Sequence, residues 1–437
     1  FEFLLMYGRR RIGKTELIKQ FVKNKPHIYF LGNKTGTLSN IQRFKKQIAS
    51  HFNQPAIETN DLEDIFEYIT KNDKGKLVII SDEFPYLVEK DDAIPSIFQQ
   101  IIDEHLKNKN IMLIICGSSI SMMEDLLSYK NPLYGRKTGH LKLKNLKFEH
   151  ISEFFKNQSK EELVKIYSVL GGIPFYLEKF DKTKTALQNA KEQILSKNGR
   201  LYEEVDFIFK EEFRQPDIYK AILSAIASGS TKLSEIADKT NMKSTSMDRY
   251  LKSLIQLGIL IKEIPVTEKK SKKTIYKIDD NFFDFYFMFF EPNRSDLEIG
   301  DQKNIDKLLS KKYNSYIGKK FEKLVRTEFI NKITPFQFTK KGMWWGYKRE
   351  NGIRKEHEID IVTLNDETKD ILFIECKWKT LTKTQAEKII SDLKQKSTNV
   401  IWNNETRKEH FGIIAKKIEN KFELKQNGIL AYDLTDF

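Results

Sequence analysis

At 437 residues the chain exceeds what one ordinary hydrophobic core holds, so two or three domains are expected. Hydrophobic residues at 40% and aromatics at 12%, with only 20 Gly and 10 Pro, exclude a disordered chain. Two cysteines exclude a disulfide framework and a cysteine-built zinc site, and 75 Lys+Arg against 61 Asp+Glu leave a formal charge of +14. That excess favours an acidic partner such as nucleic acid, unless it is only a solvated lysine-rich surface.

No secretory signal is visible. The longest aromatic run, NFFDFYFMFF, spans Asn281 to Phe290, carries Asp284 and precedes Pro292. It is about half as long as a bilayer crossing requires and is expected in the core. A cytoplasmic protein with no membrane partner is therefore expected.

The first element, FEFLLMYG, reads as a short apolar strand ending on Gly8. After Thr15 the spacing is helical, with Leu17, Ile18 and Phe21 expected on one face. Between them, Gly8-Arg9-Arg10-Arg11-Ile12-Gly13-Lys14-Thr15 fits G-x-x-x-x-G-K-[ST] in full. Glycines let the backbone N–H groups curl toward phosphate oxygens at the positive end of a helix. Lys14 would reach the β/γ-phosphates of ATP, and the Thr15 hydroxyl would ligate Mg²⁺.

A continuous run, Leu77 to Ile80, reads as a buried parallel strand and leads into Ser81-Asp82-Glu83. Asp82 is expected to help hold Mg²⁺, and Glu83 to orient or deprotonate the attacking water. A third strand, NIMLIICGSS, ends on Ser118 and Ser119. Either serine could sense the γ-phosphate, or the pair could be a simple turn. Arg136, in NPLYGRKTGHLKL, is a candidate arginine finger or phosphate sensor, or else part of a solvated basic loop.

Taken together, YGRRRIGKT, IISDEFPYL, CGSSISMME, PLYGRKTG and, further on, LGGIPFYL resemble the archaeal-type ATPases, a branch of the AAA+/STAND group of P-loop proteins. The resemblance covers most of the chain. It implies a parallel-sheet ATPase of the ASCE type, followed by a winged helix and a C-terminal domain sharing the PD-(D/E)XK nuclease fold. Family members usually carry a segment reading like F-x-x-R-E-x-E-L before the P-loop. Here the first strand starts at Phe1, which leaves base specificity open.

From Asp217 the pattern is helix to about Ala227, helix Lys232 to Lys239, a turn, and a longer helix Ser244 to Leu257 ended by Gly258. The strand ILIKEI, a basic loop and the strand TIYKI complete a winged helix-turn-helix pattern. Ser244, Thr245, Ser246, Asp248 and Arg249 would face outward, and Lys269, Lys270, Lys272 and Lys273 of the wing could neutralise DNA phosphates. Equally, such a module can serve as a packing lid beside an ATPase.

After Arg294, SYIGKKFEKLVRTEFI is an amphipathic helix with Glu322 near its apolar face. HEIDIVTLN and DILFIECKWK are strands joined at Asn365-Asp366, an expected hairpin. Glu375 and Lys377 share one face of the second strand, as Glu358 and Asp360 do on the first. This constellation resembles the PD-(D/E)XK site. The resemblance implies Asp360, Glu375 and Glu322 as ligands of a second divalent metal, Lys377 as catalytic lysine, and Lys394 or Gln395 as backbone contacts. Ordinary sheet surface reads the same way. Trp344 and Trp345, flanked by Lys340, Lys341, Lys348 and Arg349, could stack on bases or sit in the core; Gly342 and Gly346 suggest a turn that leaves them partly exposed.

The expected architecture is thus α/β in three domains: a P-loop ATPase with helical extension over 1–200, a winged helix over 215–278, and a restriction-endonuclease-like domain over 300–437. Expected partners are ATP, Mg²⁺ and DNA, with a homo-oligomer or a protein partner left open. An alternative is a slow nucleotide switch or transcriptional regulator whose other modules only bind.

Overall fold

In the computed structural model every residue is described except Lys74, Lys270, Lys272, Asn351 and Gly352, together with the side chains of Arg349, Glu350 and Ile353. The expectations for Lys270, Lys272 and the Arg349 side chain lie outside the described residues. Two units are present: Phe1–Asn145 with Ile173–Phe175, and Leu146–Gly172 with Tyr176–Phe437.

The first unit is built on strands β1 (Glu2–Tyr7), β2 (His27–Leu31), β3 (Leu77–Asp82), β4 (Ile111–Gly117) and β5 (Gly139–Lys142). All neighbours pair parallel, in the order β2-β3-β4-β1-β5, so β4 separates the glycine-loop strand from the acidic strand. β3 is buried along its whole length, which is why it reads as an unbroken apolar run. Helix α1 (Lys14–Val22) packs Ile18 and Val22 against Met6, Val78, Ile80, Ile114 and Cys116. Leu17 and Phe21, expected on the buried face, are 42% and 39% exposed. The i, i+4 series 14-18-22 points at the sheet, and the two large apolar residues beside it point away.

The second unit begins with the helical segment that was expected to extend the ATPase. Its buried partners lie downstream: Phe148 packs edge-on against Phe329, and Tyr167 donates to Glu328 at 2.7 Å. Helices α2 (Pro216–Ala227), α3 (Leu233–Thr240) and α4 (Ser244–Gln256) follow, then a hairpin of β6 (Leu260–Glu263) and β7 (Ile275–Ile278). NFFDFYFMFF is helical, with Phe282, Phe283, Phe285, Tyr286, Phe287, Phe289 and Phe290 all buried. Asp284, the charge within that run, pairs with Lys320 of α5 (Lys303–Leu324) at 2.5 Å.

The C-terminal sheet comprises β8 (Lys340–Glu350), β9 (Ile353–Leu364), β10 (Asp370–Leu381), β11 (Lys408–Ile418) and β12 (Leu430–Asp433), in the order β12-β11-β10-β9-β8. β8, β9 and β10 pair antiparallel, and β10, β11 and β12 parallel. Helix α6 (Lys383–Ser397) connects β10 to β11 and opens on a Thr382/Gln385 capping box. Among the described residues no helix is long and apolar enough to cross a membrane.

One expectation is corrected here. Trp344 and Trp345 are 6% and 4% exposed, in the core and not at a turn. Gly342 and Gly346 lie inside β8 and provide clearance: a Cβ on Gly346 would meet the Trp344 ring at 2.8 Å, and one on Gly342 would meet the Val266 Cβ at 3.1 Å. The connection from β6 to β7 is anchored at its start. Val266, just after β6, donates its N–H to the Met343 carbonyl at 2.9 Å and joins the core cluster of Trp344 and Ile359.

Candidate functional site

The glycine loop turns at Gly13, whose φ of 93° lies in the left-handed region that a Cβ disfavours. Helix α1 begins at the next residue, so Lys14 and Thr15 stand at its positive end. The Lys14 ammonium is buried and donates to the Gly8 and Arg9 carbonyls at 2.9 and 3.0 Å. Burial pulls its pKa below the ordinary lysine value, and Glu83 opposes that pull.

The acidic strand end meets the loop directly. Asp82 is fully buried; its Oδ2 accepts from the Thr15 hydroxyl at 2.8 Å and from the Tyr29 hydroxyl at 2.6 Å, and its Oδ1 from the Glu83 N–H at 3.0 Å. Two oxygens from separate elements thus converge beside a buried ammonium, and this donor set fits Mg²⁺ on a nucleotide. Glu83 has a φ of 52°, unusual for a residue with a Cβ, so the turn after β3 holds it at some conformational cost. Ser118 meets that carboxylate twice, by its hydroxyl at 2.8 Å and its N–H at 3.2 Å. Burial and nearby Asp82 push the Cys116 thiol far above its usual range, so it is an inert core residue.

Three features escape the sequence reading. Tyr29 shares Asp82 with Thr15, and burial with the Asp82 hydrogen bond keeps the phenol protonated. Phe175, far along the chain, lies with its ring 3.9 Å under the Arg11 guanidinium, and Pro174 is the nearest neighbour a Cβ on Gly13 would meet. Arg10 donates to the Tyr86 hydroxyl at 2.9 Å, and Ile12 is buried at 7% exposure. Arg136 is spent on a bidentate pair with Asp103, as close as 2.6 Å, and on the Pro132 carbonyl at 2.8 Å.

In the second unit, the β9–β10 hairpin turns at Asn365 and pairs Ile361 with Ile374, which brings Asp360 and Glu375 to neighbouring strands. Asp360 accepts the Cys376 N–H at 2.8 Å. Glu375 is 3% exposed and is clamped by two ammoniums, Lys377 on Oε2 at 2.9 Å and Lys396 on Oε1 at 2.6 Å. Lys377 is also 3.7 Å from Asp360.

Burial, Glu322 and Glu375 raise the Asp360 carboxyl to about 8. Burial also raises Glu322. Burial alone would raise Glu375, but its lysines hold it down. An oxygen-only donor set that crowds negative charge fits a hard divalent cation. These carboxylates are not drawn tightly together, however. Among the described residues the one set of three His, Cys, Asp or Glu donors within 4.8 Å of one another is Glu63, Glu104 and His105. Lys394 and Gln395 are exposed, with Lys394 over the Phe411 ring; Lys396 is the residue that reaches the site.

Along α4, Ser244, Thr245, Asp248 and Arg249 are exposed and Ser246 is half-buried. Arg249 donates to the Tyr250 hydroxyl, and Asp248 pairs with Lys252. Of the described lysines between β6 and β7, Lys269 is exposed and Lys273 is held by Glu268 at 2.6 Å.

Comparisons with known proteins bear on the N-terminal part of the chain. Residues 1–180 match a family described as an ATPase domain predominantly from Archaea, and residues 286–389 one described as archaeal and bacterial proteins of unknown function. The uncharacterized protein MJECL04 of Methanocaldococcus jannaschii is 42% identical over 448 residues, which cover 100% of this chain and 95% of that one. A second protein of that organism, MJ0424, is 44% identical over 59 residues, 13% of this chain and 57% of its own. Among solved structures, a Walker-type ATPase of Pyrococcus abyssi superposes with a TM-score of 0.51 at 20% identity, covering 65% of this chain and 90% of that one, a likeness of fold. The N-terminal part of the chain is therefore an archaeal-type P-loop ATPase domain.

Proposed function

The chain belongs to the same family as MJECL04, and from that premise we propose that it is a Mg²⁺-dependent ATPase acting at DNA, with nucleotide state controlling its C-terminal domain. The observation that carries the ATPase reading is the 2.8 Å contact between the Thr15 hydroxyl and Asp82, made beside the buried Lys14 ammonium. In this reading the backbone from Gly8 to Gly13 cradles the phosphates, and Lys14 exchanges its two carbonyl partners for phosphate oxygens. Thr15 and Asp82 hold Mg²⁺, which when bound offsets the charge developing on the γ-phosphate. Glu83 orients the attacking water and accepts its proton, and Ser118 sets the angle of that carboxylate. Arg136, tied to Asp103, braces its own loop.

The second unit is read as a winged helix over 215–278 and a nuclease-like domain over 300–437. Asp360, Glu375 and Glu322 would hold a divalent metal there, and Lys377 would steady the charge on a phosphodiester. The test is plasmid DNA incubated in Mg²⁺ or Mn²⁺, with and without ATP, beside Asp360→Ala and Lys14→Ala. Cleavage lost in Asp360→Ala and altered in Lys14→Ala is expected. ATP hydrolysis with no cleavage would leave a nucleotide switch whose C-terminal domain only binds.

A further inference from the structure

We propose that Lys396 is a displaceable clamp on the C-terminal carboxylates, occupying the Glu375 oxygen that a divalent cation takes when it binds. This deepens the reading of that site as a metal site and rests on it.

Glu375 is nearly inaccessible, yet each of its oxygens already has a cationic partner: Lys377 at 2.9 Å and Lys396 at 2.6 Å. Asp360, Glu322 and Glu375 share the site, and Lys377 alone cannot offset all three charges. The second lysine therefore stands where a cation's charge would otherwise be required.

The two lysines are not equivalent. Lys377 sits two residues along the same strand, between Glu375 and Asp360, so the hairpin itself fixes its position. Lys396 arrives from the last turn of α6, on a separate element. Its ordinary roles there would be solvation or pairing with the unsatisfied helix carbonyls. Its side chain is 34% exposed, so its four-carbon stem can carry the ammonium back to water without opening the core. A cation approaching Glu375 thus competes with Lys396, and the metal-free site stays charge-compensated.

The test is calorimetric titration of Mn²⁺ into the nucleotide-free full chain for wild type, Lys396→Met and Lys396→Arg, each with and without Asp360→Asn. Only binding abolished by Asp360→Asn is counted, which separates this site from the P-loop. Lys396→Met keeps the stem and removes the competing charge, so its affinity should rise on the order of fivefold, the worth of a partly exposed ion pair. Lys396→Arg should stay near wild type. Equal affinity in wild type and Lys396→Met, or weaker binding in Lys396→Met, would overturn the clamp and leave the metal reading standing. No Asp360-dependent binding in any variant would overturn both.

Discussion

The contact between the β6–β7 connection and β8 is open to a double-mutant test at Val266 and Gly342. Val266 is 8% exposed and shares a core cluster with Trp344 and Ile359. Val266→Ala removes two buried methyls, a loss of about 2 kcal/mol at the usual worth of core methyl groups. Gly342→Ala places a methyl 3.1 Å from the Val266 Cβ and 3.4 Å from its Cγ2, overpacking worth about 1 kcal/mol. In the double variant the Cβ at position 266 remains, but the new methyl gains the space left by the Cγ2, 3.4 Å away. The two costs should therefore fall short of additivity by about 1 kcal/mol. Urea denaturation followed by tryptophan emission reads this, since Trp344 lies in the same cluster. Additivity within about 0.5 kcal/mol would show that the two residues do not touch and would refute the contact.

Two further outcomes are expected. Arg136→Ala breaks a partly exposed pair with Asp103 and should cost about 1 kcal/mol of stability while changing ATP turnover less than about threefold; a fall on the order of a hundredfold would place Arg136 at the transition state. Asp433 is buried, but Lys421 and its hydrogen bonds to Thr435 and Ile418 hold its carboxyl down at about 2. Its folded value lies below the unfolded one, so its contribution is present above about pH 4 and lost as pH falls toward 2. Asp433→Asn should flatten that acid loss by about 2 kcal/mol; an unchanged acid limb would refute it.

Local patterns carried much of this architecture. The glycine loop, the buried strand before Asp82 and the Asn365 turn each depend on residues adjacent in sequence, where backbone geometry dictates residue type. What stayed hidden depends on distant partners. Tyr29 reaches Asp82 from a neighbouring strand, and Phe175 meets Arg11 across most of the ATPase domain, so neither spacing signals the contact. Lys396 was passed over for Lys394 and Gln395, because a helix pattern shows which residues are polar but not which one faces a given strand. The tryptophans misled for a related reason. A glycine inside a strand can serve a neighbour's bulk, and Gly346 makes room for the Trp344 ring where a turn was expected.

In the proposed function Glu83, held by Ser118 at the end of the acidic strand, acts on water at an ATP site built by Lys14, Thr15 and Asp82. The most direct measurement is ATP binding and phosphate release by Glu83→Gln, beside wild type and Lys14→Ala. Near-native ATP affinity is expected in Glu83→Gln with turnover lowered by roughly 10²–10⁴, and lost affinity in Lys14→Ala. Turnover by Glu83→Gln at the wild-type rate would contradict it.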